Sequence, residues 1–159
     1  MSVQLNANAL QTVAANGSLI YTEVPVPCTQ GLVYHRPGSG IVRLASPSVM
    51  GVSYRRRCCC ASFPFADYLI AYGANIQLPE GGTVEPISLA LFIDGEMDPS
   101  TVRTFTPAAV QQLGNVSASA IVRVPAICRC SPISVRNIST QPIEAVNANL
   151  IIAFEGVKR

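Results

Sequence analysis

Six cysteines hold most of the chemistry this chain could carry: Cys28, Cys58, Cys59, Cys60, Cys128 and Cys130. Thiolates ligate zinc, form disulfides or act as nucleophiles, and spacing separates those uses. Cys58-Cys59-Cys60 with Cys128-x-Cys130 offers enough sulfurs for a metal, but neither spacing is the C-x-x-C that tetrahedral zinc favours. A bridge from the Cys128–Cys130 segment to Cys28 or to Cys58–Cys60 is open on this pattern, within the chain or between chains. A third reading is free thiols in loops. Three adjacent cysteines suit links between subunits, because such links need not meet one fixed intrachain geometry.

The remaining reactive types are sparse. The only histidine, His35, stands beside a turn with no nucleophile or acid at catalytic spacing, so no catalytic residue is assigned. Asp94, Glu96 and Asp98 cluster around an Asp-Gly turn, where acids are common. Their three carboxylates are the one place a weak calcium site is conceivable, and no metal site is assigned there. Arg55-Arg56-Arg57 has no interleaved aromatics, and the net charge is only +2, which argues against a nucleic-acid partner. No glycine-rich phosphate loop opens a helix, so no cofactor is expected. Asn115-Val116-Ser117 and Asn137-Ile138-Ser139 match the glycosylation acceptor pattern and are read as chance matches.

The elements that must position these residues read as strands. Tyr68, Ile70, Tyr72, Ala74, Ile76 and Leu78 alternate at period two, and Ile87, Leu89, Leu91 and Ile93 repeat the pattern after a Pro79-Glu80-Gly81-Gly82 turn. The intervening positions, Leu69, Ala71, Ser88, Ala90 and Phe92, are only mildly polar, so both faces of these strands are expected to meet protein. Further strands are expected around Leu19–Tyr21, Leu32–His35, Ile41–Leu44, Val102–Thr106, Val116–Val124, Ile133–Ile138 and Val146–Phe154. Asn16-Gly17, Pro37-Gly38 and Asp94-Gly95 mark turns between them. Residues 1–12 read as an N-terminal arm or first edge, 13–159 as one domain. Residues 45–66 read as the least regular part, with at most one short strand around Val49 to Tyr54. Pro107–Leu113 reads as a loop or a single helical turn. No helix-period segment appears, so the fold class is all-β: an antiparallel two-sheet sandwich.

Length and composition agree with one domain of 159 residues. Hydrophobic residues make up 49% and charged residues 13%, a surface poor enough in charge to expect association. No apolar run approaches the ~18 residues a membrane span needs. The opening MSVQLNANALQTV lacks the basic and apolar regions of a signal peptide.

The order of pieces resembles the tumour-necrosis-factor-like jelly rolls of bacteria and their phages, such as the heads of collagen-like spore-surface proteins and small phage appendage proteins. The resemblance rests on Leu19-Ile20-Tyr21, the run Tyr34 to Ile41, the tyrosine-led strand Tyr68 to Ile76, Ile87 to Glu96 with its Asp-Gly hairpin, and Val146 to Ile152. It covers most of Ala7 to Phe154. The chain lacks a collagen stalk, and the Arg-Cys cluster at 55–60 stands where a blander loop is usual.

The resemblance implies a non-enzymatic homotrimer, with Tyr68, Tyr72 and Phe154 as the candidate seam. It implies a decorating or appendage module at a virion surface or other extracellular assembly, partnered by other virion or surface-assembly proteins. The alternatives are a receptor- or glycan-binding head, with a host-surface glycan as partner, and a disulfide-linked subunit of a bacterial spore or cell-surface filament. A binding head would use tip loops near Arg36–Gly40, Asp94–Pro99 (Asp94, Glu96 and Asp98) or Ser139–Pro142.

Overall fold

Period-two apolar patterning leaves this chain one way to bury its surface, by stacking sheets, and the structure does so. A computed structural model describes residues 1–28, 31–45, 65–125 and 130–158. The strands among them are β1 (Ser2–Ala7), β2 (Gln11–Val13), β3 (Glu23–Val26), β4 (Val33–His35), β5 (Val42–Ala45), β6 (Phe65–Gln77), β7 (Ile87–Ile93), β8 (Glu96–Met97), β9 (Arg103–Phe105), β10 (Gly114–Pro125), β11 (Cys130–Asn137) and β12 (Ile143–Lys158). The first sheet runs β10-β6-β12-β1-β3, with β2 also on β12; the second runs β4-β5-β11-β7-β8, with β9 also on β7. Every pairing is antiparallel. The architecture is the all-β two-sheet sandwich read from the sequence.

One core lies between the sheets. Tyr68, Ile70, Tyr72, Ala74, Ile76 and Leu78 all point into it and are buried, as are Ile87, Leu89 and Leu91. Each fully buried Leu or Ile contributes about 1.5–3 kcal/mol relative to an exposed one. The long strand and its successor sit in opposite sheets: β6 pairs with β10 and β12, and β7 with β11, β8 and β9. Their facing apolar sets therefore pack across the sandwich rather than side by side.

Residues 1–12 are not a loose arm. β1 lies between β12 and β3, with Val3, Leu5 and Ala7 buried, because its own alternation supplies an apolar face. Cys130 opens β11 instead of lying in a loop. The hairpin at Asp94-Gly95 returns through β8, and a 3-10 turn, Pro99–Thr101, precedes β9; Asp98 caps that turn by accepting from the Ser100 amide at 2.9 Å. Pro107 to Leu113 holds no helix. Arg55–Arg57, Cys58, Cys59, Cys60, Cys128 and the short strand expected around Val49–Tyr54 lie outside the described residues.

Two of the three core tyrosine hydroxyls are paired, while Tyr21 Oη, also buried, has no partner among the described residues. Tyr72 Oη shares its one proton between the carbonyls of Thr101 at 2.5 Å and Leu89 at 3.2 Å, and Tyr68 Oη donates to the Ala45 carbonyl. Burial pushes both phenols up to about 12.

The segment from Ser18 to Tyr21 packs on the β4–β5 turn. Gly38 donates its amide to the Tyr21 carbonyl at 3.0 Å, and Ser39 bridges Tyr21. A Cβ on Gly40 would stand 2.5 Å from the Leu19 carbonyl oxygen and 2.6 Å from Ser18 Cβ. Gly40→Ala must push two backbones apart, and we expect it to cost about 1–3 kcal/mol in urea unfolding. A cost within error of zero would mean that the close approach does not bind these segments together.

Candidate functional site

Strands with two mildly apolar faces leave one of them outside the sandwich. On the first sheet that outward face is made by the odd-numbered residues of β6 and their cross-strand partners. Ile121, Leu69, Ala153 and Ser2 form one row across β10, β6, β12 and β1; Ser119, Ala71, Ile151 and Gln4 form the next. Ile121 is 68% exposed, Ile151 42% and Leu69 40%. Large aliphatic side chains in adjacent rows of the sheet, with alanines between them, form a continuous apolar patch rather than scattered surface residues. Gly73 keeps the following row low, since a Cβ there would lie 3.2 Å from Asn149 Oδ1.

The patch has polar ends. At one, Arg123 donates from Nε and a terminal nitrogen to the Asp67 carboxylate at 2.8 and 3.1 Å, and Lys158 Nζ lies 3.4 Å from it. The Arg123 guanidinium also lies 5.3 Å from the centre of the Phe65 ring. At the other end Asn115 Nδ2 donates to Asn75 Oδ1 at 2.9 Å. Charge at one end and amides at the other frame the apolar rows, as a polar rim frames an interface core.

The hydrogen bonds from Arg123, with Lys158 adding to them, hold the Asp67 carboxyl below its ordinary range. A depressed carboxyl stabilises the fold above its unfolded value of roughly 3.9, and that stabilisation is lost as pH falls through its folded value. We therefore expect Asp67→Asn to lower the thermal midpoint at neutral pH and to flatten the acid side of the stability profile below about pH 4. An unchanged acid limb in the variant would show that the carboxylate is not coupled to folding.

The expected seam residues fall elsewhere. Tyr68 and Tyr72 point into the protomer's own core, and Phe154, half-buried, packs on Tyr68 with ring centres 5.4 Å apart. Their strands carry the outward face, but their side chains do not. The alternation puts Leu69, Ile121 and Ile151 on the lesser face of each strand, but it does not mark that face as an open apolar patch.

Asp94, Glu96 and Asp98 do not converge. Asp98 is spent on its cap, Asp94 Oδ2 accepts from Ser131 Oγ at 3.2 Å, and Glu96 is exposed on β8. Among the described residues no three acid, histidine or cysteine side chains form a metal-binding group. The expected tip loops also separate. The Asp94 amide bonds to Pro132 near the start of β11, whereas Ser139–Pro142 follows its end, where Gln141 bonds Thr83.

Two cysteines are described. The Val33 amide donates to Cys28 Sγ at 3.4 Å, and Cys28 Sγ lies 3.5 Å from Met1 Sδ; Cys130 is exposed at the start of β11. Among the described residues no disulfide is formed. His35 Nε2 faces the Ser39 carbonyl at 3.0 Å within its turn. Asn137, in the second glycosylation pattern, is fully buried with its amide in use. No helix among the described residues is long and apolar enough to cross a membrane.

No protein-family profile and no curated protein matches the sequence. Solved structures do match the fold. The Eiger tumour necrosis factor of S. frugiperda superposes with a TM-score of 0.64 at 11% identity, covering 100% of this chain and 94% of that one. Murine APRIL superposes with a TM-score of 0.53 at 9% identity, covering 100% of both chains. At these identities the likeness is one of fold, and the fold is the tumour-necrosis-factor-like jelly roll.

Proposed function

We propose that this chain is a non-enzymatic structural module that assembles as a homotrimer through the outward face of its first sheet. In this reading it sits on the surface of a bacteriophage particle, as a decoration or as part of an appendage. The observation that carries the assembly is the patch built on Ile121, Leu69 and Ile151, left open by the folded protomer and framed by polar ends. A closed threefold arrangement covers one such patch on every copy and leaves none over. The tumour-necrosis-factor-like fold supports the trimer, and the order of motifs along the chain supports the phage setting. The low charge content, 13%, fits a protein that hides surface in an assembly.

The test is the native mass of purified protein with and without reductant. A trimer in both conditions is the expected result. A monomer in both overturns the assembly. A reductant-sensitive ladder replaces it with a filament linked through the cysteines. Recovery of this chain's peptides from gradient-purified particles tests the virion setting separately.

A further inference from the structure

A second feature, on the opposite sheet, needs no partner copy. The outward face of β11 carries Pro132, Ser134 and Arg136, and over it lies a depression of about 220 Å³ lined by Ile41, Asp94, Gly95, Pro132, Ile133, Ser134 and Arg136. Ligand sites for drug-sized molecules span roughly 300–1,000 Å³, so this one suits a single small ring.

Its polar groups are fixed in place. The Arg136 guanidinium is stacked on Phe92, 4.6 Å from the ring centre, and its Nε donates to Ser134 Oγ at 3.0 Å. Arg136 Nε is thereby spent, while its terminal nitrogens keep N–H groups to offer. Ser134 is outward yet buried, and its hydroxyl, already an acceptor from Arg136, has its own proton to give. A guanidinium beside a hydroxyl donor makes an end that binds an anion.

The other wall sets which anion. Asp94 lines the depression with Oδ2 taken by Ser131, leaving Oδ1 to accept from a ligand hydroxyl. Its negative charge also disfavours a dianion such as a phosphate ester. Ile41, 48% exposed, and Pro132 supply apolar contact for a C–H face.

We propose that this depression binds a hydroxylated monocarboxylate of single-ring size, an acidic monosaccharide, with its carboxylate on Arg136 and Ser134 and a hydroxyl on Asp94. The site lies within one protomer, so it stands whether or not the trimer forms. It gives the module a ligand-recognising surface on the sheet opposite the assembly face.

The experiment is amide NMR titration of the full chain with D-glucuronic acid, D-glucose and glucose 6-phosphate. Saturable shifts at the Ile41, Gly95 and Ser134 amides are expected with glucuronic acid, with a dissociation constant in the millimolar range. Glucose, lacking the carboxylate, is expected to bind about tenfold more weakly or not at all. Arg136→Gln is expected to weaken glucuronic acid by about tenfold. Ser134→Ala, which keeps the guanidinium, is expected to weaken it less, and it serves if Arg136→Gln disturbs the β7–β11 packing. Three outcomes overturn the proposal: no saturable shift, shifts that glucose reproduces at equal affinity, or shifts that both variants leave unchanged. Tighter binding of glucose 6-phosphate overturns the monocarboxylate assignment. Because native mass reads only the assembly face, failure here and failure of the trimer are told apart.

Discussion

Leu69→Arg, introduced together with Ile121→Arg, is expected to yield a folded monomer. Leu69 and Ile121 are cross-strand partners on β6 and β10 and already face solvent within the protomer, so the exchange leaves the core intact. In the proposed trimer the same positions are covered by neighbouring copies, and the substitutions bring three sets of like charges together. Like-charge juxtaposition across an interface costs several kcal/mol, and lost burial of the aliphatic side chains adds to it. An affinity loss of at least about a hundredfold follows, enough to move a micromolar assembly to monomer under dilute conditions. Analytical ultracentrifugation reads the mass, and circular dichroism reads the fold. The inward control on the same strand is Ile70→Ala, which is fully buried. It is expected to cost about 2–5 kcal/mol of stability with the mass unchanged. If the double arginine variant keeps the wild-type mass, the outward face of the first sheet is not the seam.

Asn137→Ala is expected to be the most damaging single change to a polar side chain among the described residues. Asn137 is fully buried at the end of β11. Its Nδ2 donates to the carbonyls of Val13 and Ala14, both at 3.2 Å, and of Gln141 at 2.9 Å. Two protons serve three carbonyls, so at least one bond is shared. Its Oδ1 accepts from the Ser139 amide at 2.9 Å, and its backbone bonds Asn16 and Gly17. One side chain thus ties the β2 turn in the first sheet to the β11–β12 turn leaving the second. Truncation leaves three carbonyls and an amide without that partner in the interior. Each buried group left unsatisfied costs about 1–3 kcal/mol, partly relieved by water, and a total near 3–5 kcal/mol is expected in urea unfolding. Asn137→Asp is expected to do no better, since a carboxylate would face the same carbonyls without a proton to donate. A loss under about 1 kcal/mol for the alanine variant would show that water replaces the amide at little cost.

These two residues illustrate what the chain discloses along its length. Asn137 reads locally as part of a chance glycosylation pattern. Its partners Val13 and Ala14 lie more than a hundred residues away, and only the packing of one sheet on the other brings them within reach. Leu69 reads locally as one of several mildly apolar residues between the larger ones, and its exposure depends on which side of β6 the second sheet covers.

The sequence by itself determined the all-β class, most of the strands and the turns at Asn16-Gly17, Pro37-Gly38 and Asp94-Gly95. Those features depend on period-two patterning and on the backbone freedom of single residues, both local. It also determined that Tyr68, Ile70 and Tyr72 share a face. What only the tertiary structure decided is where each face points. Alternation sorts a strand's side chains into two sets, and on β6 the lesser set mixes Phe65, Leu69 and Ala71 with Asp67, Asn75 and Gln77, so pattern alone could not say whether protein or solvent meets it. The choice came from long-range pairing: β6 between β10 and β12, β7 in the opposite sheet, and β1 drawn in as a full strand. The same pairing set Ile41, Asp94, Ser134 and Arg136 around one depression, because neighbouring strands in a jelly roll are seldom neighbours in the chain.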